Sequence, residues 1–216
     1  MADLQKILDI AKGEIGTVEK PVGSNNVKYN TAYYGYPVSG SAYPWCCAFI
    51  WWLFREAEAS EDFYGGKKTA YCPTAMTWFK QQNAFYVGGY QVGDIAFFDF
   101  KGNGVAAHIG IIETVNADGT YTTIEGNTSL SSDDNGGAVM RRTRYAKNIL
   151  GVGRPKYKLP ELTTINDIVW ELSVRELANG QKVMGDAHLW MQKLNEDVNV
   201  YWLARKMVQY MREKRV

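Results

Sequence analysis

From Trp45 to Phe54 the chain reads Trp-Cys-Cys-Ala-Phe-Ile-Trp-Trp-Leu-Phe, ten residues with no charge, glycine or proline among them. A membrane-spanning helix needs ~20 apolar residues, so this run is too short to cross a bilayer. A helix that is apolar all round has no face to give to water and belongs in the middle of a core. The rest of the chain must therefore wrap it. With 216 residues, 46% of them hydrophobic and 22% charged, the chain has material for one main domain plus an appendage, and the composition excludes a disordered or fibrous protein. Lysine and arginine number 24 against 23 acidic residues, a net charge of +1. That balance leaves no basic surplus for a nucleic acid or an anionic membrane, and neither is expected as a partner. The opening Met-Ala-Asp-Leu-Gln-Lys-Ile-Leu lacks the basic start, apolar stretch and cleavage site of a signal peptide, so a protein made and kept in the cytoplasm until release is expected.

Leu4, Ile7, Leu8, Ala11 and Ile15 recur at helical spacing between Asp3, a candidate N-cap, and Gly16, which predicts an amphipathic helix over 3–15. Residues 21–44, rich in Gly, Pro, Asn and Tyr, read as an ordered loop, and a further helix is predicted over 74–82. After Gly88-Gly89 the pattern changes to short strands over 94–100, 108–115, 121–125 and 139–145, with a fifth over 150–156. Helices followed by closely spaced antiparallel strands make an α+β domain over 1–158. Residues 159–164 read as a linker. Residues 165–216 carry three short amphipathic stripes and no strand signal, which predicts a small three-helix unit, marginal alone, that would dock on the main domain or self-associate as a homo-oligomer.

Only two histidines exist, and only His108 lies in the main domain, so imidazole chemistry there must use it. Three cysteines, two of them adjacent, do not make a disulfide framework. Cys46 falls in the first turn of the buried helix, where backbone N–H groups and the macrodipole favour a thiolate. Cys47 is rotated ~100° away and reads as a small packing residue; Cys72, just before Pro73, reads the same way. Asn116-Ala117-Asp118-Gly119 signals a hairpin turn. A loop of two or four residues keeps His108 on the face of Tyr121, Thr123, Glu125 and Asn127, whereas an odd loop with no bulge would reverse the face. With four, Val115 pairs with Thr120, His108 falls opposite Asn127, and Glu125 falls opposite Gly110, diagonal to the imidazole. A thiol nucleophile, an imidazole base and an Asn or Glu to hold the ring form the papain-like arrangement for acyl chemistry. A packed cysteine and a satisfied histidine are the alternative on spacing alone.

Four segments, Tyr43 to Trp52, Val92 to Phe98, His108 to Glu113 and Thr123 to Thr128, resemble in order the successive motifs of the CHAP family, the cysteine, histidine-dependent amidohydrolases/peptidases. The resemblance runs over about Leu4 to Tyr157. It implies a papain-like fold, Cys46 directly after Trp45 as nucleophile, His108 as base, and Glu125 and Asn127 completing the site; which of the two orients the ring stays open. The implied reaction is cleavage of amide bonds in bacterial peptidoglycan, by an N-acetylmuramoyl-L-alanine amidase or an endopeptidase. Some relatives bind calcium just before the cysteine, but residues 23–44 here hold Asn25, Asn26 and Asn30 and no acid. No zinc spacing is present either, and the acidic 132–137 stretch reads as a solvated turn, so no metal or cofactor is expected. Tyr29, Tyr33, Tyr34, Tyr36, Tyr43 and Trp45 are candidates to wall a substrate groove. The tail resembles helical segments appended to lysins of phages and prophages, which points to an endolysin. The alternatives are a catalytically silent wall-binding module and an intracellular amidase for a small peptide conjugate.

Overall fold

The computed structural model describes residues 2–158. The expected linker 159–164 and the expected helical unit 165–216, with His188, lie outside the described residues. In chain order the elements are β1 (Ala2–Asp3), α1 (Leu4–Gly13), α2 (Lys28–Tyr34), α3 (Cys46–Glu56), α4 (Cys72–Gln81), β2 (Phe85–Tyr86), β3 (Ile95–Phe98), β4 (His108–Val115), β5 (Thr120–Thr128), β6 (Ala138–Tyr145), β7 (Ile149–Gly153) and β8 (Tyr157–Lys158). The strands from β2 to β7 form one antiparallel sheet in the order β2-β7-β3-β4-β5-β6, and β1 pairs with β8 in parallel. This is the expected α+β arrangement of N-terminal helices on an antiparallel sheet.

The apolar run forms α3, and Cys46 through Phe54 are all buried. Phe49, Ile50 and Leu53 share one core with Ile109, Ile111 and Ile124 of the sheet and with Ile7 and Leu8 of α1. The opposite sheet face has a smaller cluster of Ala96, Phe98, Ile112, Ile149 and Val152. Asp3 caps α1 as expected, its carboxylate accepting from the Lys6 N–H at 3.1 Å. No helix among the described residues is long and apolar enough to cross a membrane.

Two local differences from the sequence reading have clear physical causes. The stretch read as loop contains α2, whose Tyr, Asn and Thr are weak helix formers and whose N-terminus has no side-chain cap. Burial of Tyr29 and Asn30 holds it instead, a tertiary contribution that a local pattern does not carry. The β4–β5 hairpin also differs. Val115 pairs with Tyr121, not Thr120, leaving the odd-length loop 116–120. The register then shifts between Ile112 and Thr114, so Ile112 faces Thr123 and Ile111 faces Ile124. The bulge at Glu113 adds the missing residue and returns the later pairs to the expected register. Continued along the strands, that register sets Gly110 opposite Glu125 and His108 opposite Asn127.

Two glycines allow the close approaches that bring helix, hairpin and carboxylate together. A Cβ on Gly110 would lie 2.6 Å from Glu125 Cγ, so only glycine lets the Glu125 side chain lie across β4. A Cβ on Gly126 would come 2.7 Å from both Trp45 Cζ3 and Phe49 Cβ, so glycine there lets the start of α3 rest on β5.

Candidate active site

The site forms at the rim where α3 begins, β4 begins and β5 ends. Trp45 precedes the helix with its indole N–H donating to Glu19 Oε1 at 2.8 Å, while its ring stacks on Tyr29 at 5.2 Å. That anchoring fixes the first residue of α3, Cys46. No side chain caps this helix, so its first-turn N–H groups remain for another acceptor.

His108 is fully buried, at 0% exposure, and its two nitrogens have different surroundings. Nε2 lies 3.0 Å from Glu125 Oε2. Nδ1 is buried with no hydrogen-bond partner, and the Cys46 thiol is close enough to raise the ring's pKa. Burial alone would pull the imidazole down, but Cys46 and the Glu125 carboxylate together bring it up to about 9.

Glu125 is the most heavily bonded group of the site. Arg144 on β6 donates Nε to Oε1 at 2.8 Å and a terminal nitrogen to Oε2 at 2.5 Å, and Thr123 Oγ1 donates to Oε1 at 2.5 Å. Burial would raise the carboxyl, yet Arg144 and His108 hold it down at about 2. Arg144 is itself 5% exposed, lies 5.3 Å and 4.7 Å over the rings of Phe98 and Phe100, and also donates to Asp133. Asp133 belongs to the stretch read as a solvated turn; its carboxylate in fact also accepts from Arg142 at 2.7 Å. Asn127 is brought close in sequence position but makes no hydrogen bond to the imidazole. It sits at φ +56 in an irregularity of β5, its Oδ1 accepting from the Gly137 N–H at 3.3 Å, its Nδ2 buried and unpartnered.

The expectation that the helix start favours a Cys46 thiolate does not hold in this setting. Hydrogen bonding to Cys72, then burial, then the charge of Cys72 push the Cys46 thiol well above its ordinary range, against the opposite pull of His108. Cys46 Sγ lies 3.6 Å from Cys72 Sγ. Cys47 behaves as a packing residue, its thiol donating to the Thr69 carbonyl at 3.4 Å. Sequence reasoning missed both Arg144 and Cys72. Alternation along β6 could have set Arg144 on the same face as Glu125, but no local signal joins Cys72 to a helix start 26 residues away.

A trough of about 460 Å³, lined by Tyr33, Tyr34, Pro44, Lys68, Tyr71 and Thr74 among others, reaches Tyr71, the chain neighbour of Cys72, and Pro44, two residues before Cys46. Of the aromatic candidates, Tyr33 and Tyr34 line it, whereas Tyr29 and Trp45 are fully buried in the core. Asn25 and Asn30 use their amide N–H groups on the backbone, to Gly40 O and to Asn25 O and Tyr43 O, and so pin this loop.

An antiparallel sheet that sets a carboxylate-held histidine near a cysteine at a helix start brings together the residue types that cysteine-based acyl chemistry needs. Residues 38–127 match the family model of the CHAP domain. That match includes Cys46, His108, Glu125 and Asn127 but ends before Arg144. The endolysin LysIME-EF1 is similar at 17% identity over 73% of this chain and 66% of that one, with a TM-score of 0.47. Ly7917 is similar at 14% identity over 71% of this chain and 62% of its own, TM-score 0.44, and so is its structure with the hydrolyzing product of MDP, at 15% over 70% and 62%, TM-score 0.44. The chain spans just under two thirds of the length of these solved proteins. No curated protein matches it.

Proposed function

We propose that the protein is a peptidoglycan hydrolase that cleaves an amide bond with Cys46 as nucleophile and His108 as proton carrier, and that it serves as an endolysin of a phage or prophage. The CHAP match over residues 38–127 supports the substrate class. The observation that carries the chemistry is the asymmetry of His108: Nε2 is tied to Glu125, while Nδ1 is buried and unpartnered in a ring that the Cys46 thiol also influences. Buried polar nitrogens are almost always bonded. One left open next to a thiol is in position to take and return a proton.

In this reading one proton is shared between Cys46 and His108 in the reactive form. The sulfur attacks the amide carbonyl, and the N–H groups at the uncapped start of α3 stabilise the oxyanion. His108 Nδ1 protonates the leaving amine and then draws a proton from the water that cleaves the thioester. Glu125 orients the ring and supports its charge. Arg144 acts through Glu125 as a positioning residue, holding both carboxylate oxygens so that the acid stays ionised in a dry setting. Asn127 shapes the end of β5. The trough along Tyr33, Tyr34 and Tyr71 would hold a flexible stem peptide, and residues 165–216 would serve wall targeting or self-association.

Turbidity of purified walls tests the reading: wild type clears them and Cys46→Ala does not. Mass spectrometry of the fragments then separates the two amide classes, since a muramoyl amidase frees whole stem peptides and an endopeptidase leaves peptide on the sugar. Equal clearing by the two proteins would overturn the cysteine mechanism, and no clearing by either would favour a silent wall-binding module.

A further inference from the structure

Hydrolysis leaves one sulfur of the site without a task. Cys72 opens α4, and its Sγ lies 3.6 Å from Cys46 Sγ, close to van der Waals contact. All three cysteines are free thiols, with Cys46 and Cys72 only 5% and 4% exposed. Their surroundings differ in a way that assigns roles. Cys46 has a base beside it, since the buried Nδ1 of His108 is unpartnered and the two groups interact. Cys47 is turned to the Thr69 carbonyl. Cys72 touches the Cys46 sulfur directly. One thiol with a base and a second thiol at contact distance make an attacking and a resolving pair. The trough lined by Pro44, Thr69, Ala70 and Tyr71 lies next to Cys72 in the chain and two residues from Cys46, and both sulfur-bearing residues keep a small exposed fraction.

We propose that Cys46 and Cys72 are a modification site: a pair that closes to a reversible disulfide on exposure to hydrogen peroxide, switching the nucleophile off and shielding it from irreversible oxidation. The Cys46 thiolate attacks one peroxide oxygen; the O–O bond breaks, Cys46 becomes a sulfenic acid, and hydroxide leaves as water with the proton held by His108. The Cys72 sulfur then attacks the Cys46 sulfur; the S–O bond breaks, the Cys72 proton goes to the departing hydroxyl, and a second water forms. Two thiols are oxidised by two electrons and one peroxide is reduced. A dithiol reverses the change by exchange. Bond formation brings the sulfurs from contact to about 2.05 Å, a movement side-chain rotation and small helix shifts provide. The loss of activity rests on the hydrolase reading above, but the disulfide does not depend on which bond, if any, the protein cleaves.

The full chain is treated with limiting hydrogen peroxide, quenched with iodoacetamide, and measured by intact mass and peptide mapping. Wild type is expected to lose about 2 Da and to yield one cross-link, assigned by fragmentation to Cys46 and Cys72, with Cys47 still open to alkylation after denaturation. Wall clearing should fall by ~10-fold or more and return with a dithiol. In Cys72→Ser and Cys72→Ala, each compared with its own untreated sample, Cys46 should instead gain about 32 or 48 Da as sulfinic or sulfonic acid, and a dithiol should not restore clearing. A cross-link through Cys47, oxygens added to Cys46 of wild type without a link, or three thiols left reduced would each overturn the proposal, and the wild-type map alone decides this if the variants fail to fold. A Cys46–Cys72 link in a protein that never clears walls would sink the hydrolase reading and leave the thiol pair standing.

Discussion

The two sides of the His108 ring are built in opposite ways. On the Nε2 side every group is bonded: Glu125 receives the imidazole, the Nε–Nη2 edge of the Arg144 guanidinium and the Thr123 hydroxyl, and Arg144 continues to Asp133 and to the faces of Phe98 and Phe100. Nδ1 has no partner, and the other group that acts on the ring is the Cys46 thiol, a weak donor and acceptor that is itself in contact with Cys72. The saturated side fixes the ring in orientation and charge. The unsaturated side retains an unfilled bond, a cost of about 1–3 kcal/mol for a buried polar group, and in return is ready to exchange a proton. A histidine that served packing alone would have both nitrogens satisfied.

If that division is correct, changes on the open side should abolish chemistry and spare the fold. Cys46→Ser and His108→Ala are each expected to reduce wall hydrolysis by ~10³-fold or more, with thermal unfolding close to wild type for the serine variant. Near wild-type clearing by either would break the comparison at its centre. Next in size is the pair Glu125→Gln and Asn127→Ala. Only Glu125 touches the ring, so the first should cost about 10²-fold and the second less than ~10-fold; the reverse order would move the orienting role to Asn127.

Changes on the saturated side should be felt in stability as well as in rate. Arg144→Met leaves an ionised, buried Glu125 without its cation, and chemical denaturation is expected to show a loss of about 3–5 kcal/mol. Arg144→Lys keeps the charge but not the two-pronged geometry and should fall between. An Arg144→Met protein as stable as wild type would mean that the carboxylate is held by other means.

The smallest expected effects are in pH dependence. Glu125 is lowered from 4.5 to about 2 on folding, so its contribution is complete above 4.5 and is lost as pH falls from there towards 2. His108 is raised from 6.5 to about 9, so its contribution is complete below 6.5 and is lost as pH rises through 9. Melting temperatures across this range should therefore drop at both ends, with Glu125→Gln flattening the acid arm and His108→Ala the alkaline one. Because Cys46 and His108 are both shifted upward, the reactive one-proton form gains population on the alkaline side, and wall clearing should rise from neutral pH towards 9. An optimum below neutral would show that the pair releases its proton far more readily than its buried setting dictates.

The determinants that lie within a few residues of one another were legible in the chain itself. Ten uninterrupted apolar residues demand a buried helix, Asp3 caps the helix it precedes, and the short apolar and β-branched runs of β3 to β6 between turn residues are a local pattern. Cys46 at a helix start and the scarcity of histidine follow from position and count. The orientation of the hairpin was legible only as a condition: an even loop, or an odd one with a bulge. The chain uses the second, and a bulge is decided by the partner strand and by contacts such as Glu113 with Arg141 of β6, at 2.6 and 2.8 Å. Arg144 reaches Glu125 from the neighbouring strand, and Cys72 reaches Cys46 from another helix. These contacts require separate elements to be packed before their side chains can meet, and packing depends on the whole core rather than on any window of sequence. The same packing reversed the expected charge preference of Cys46: the helix start favours a thiolate, but full burial and a second sulfur in contact outweigh it.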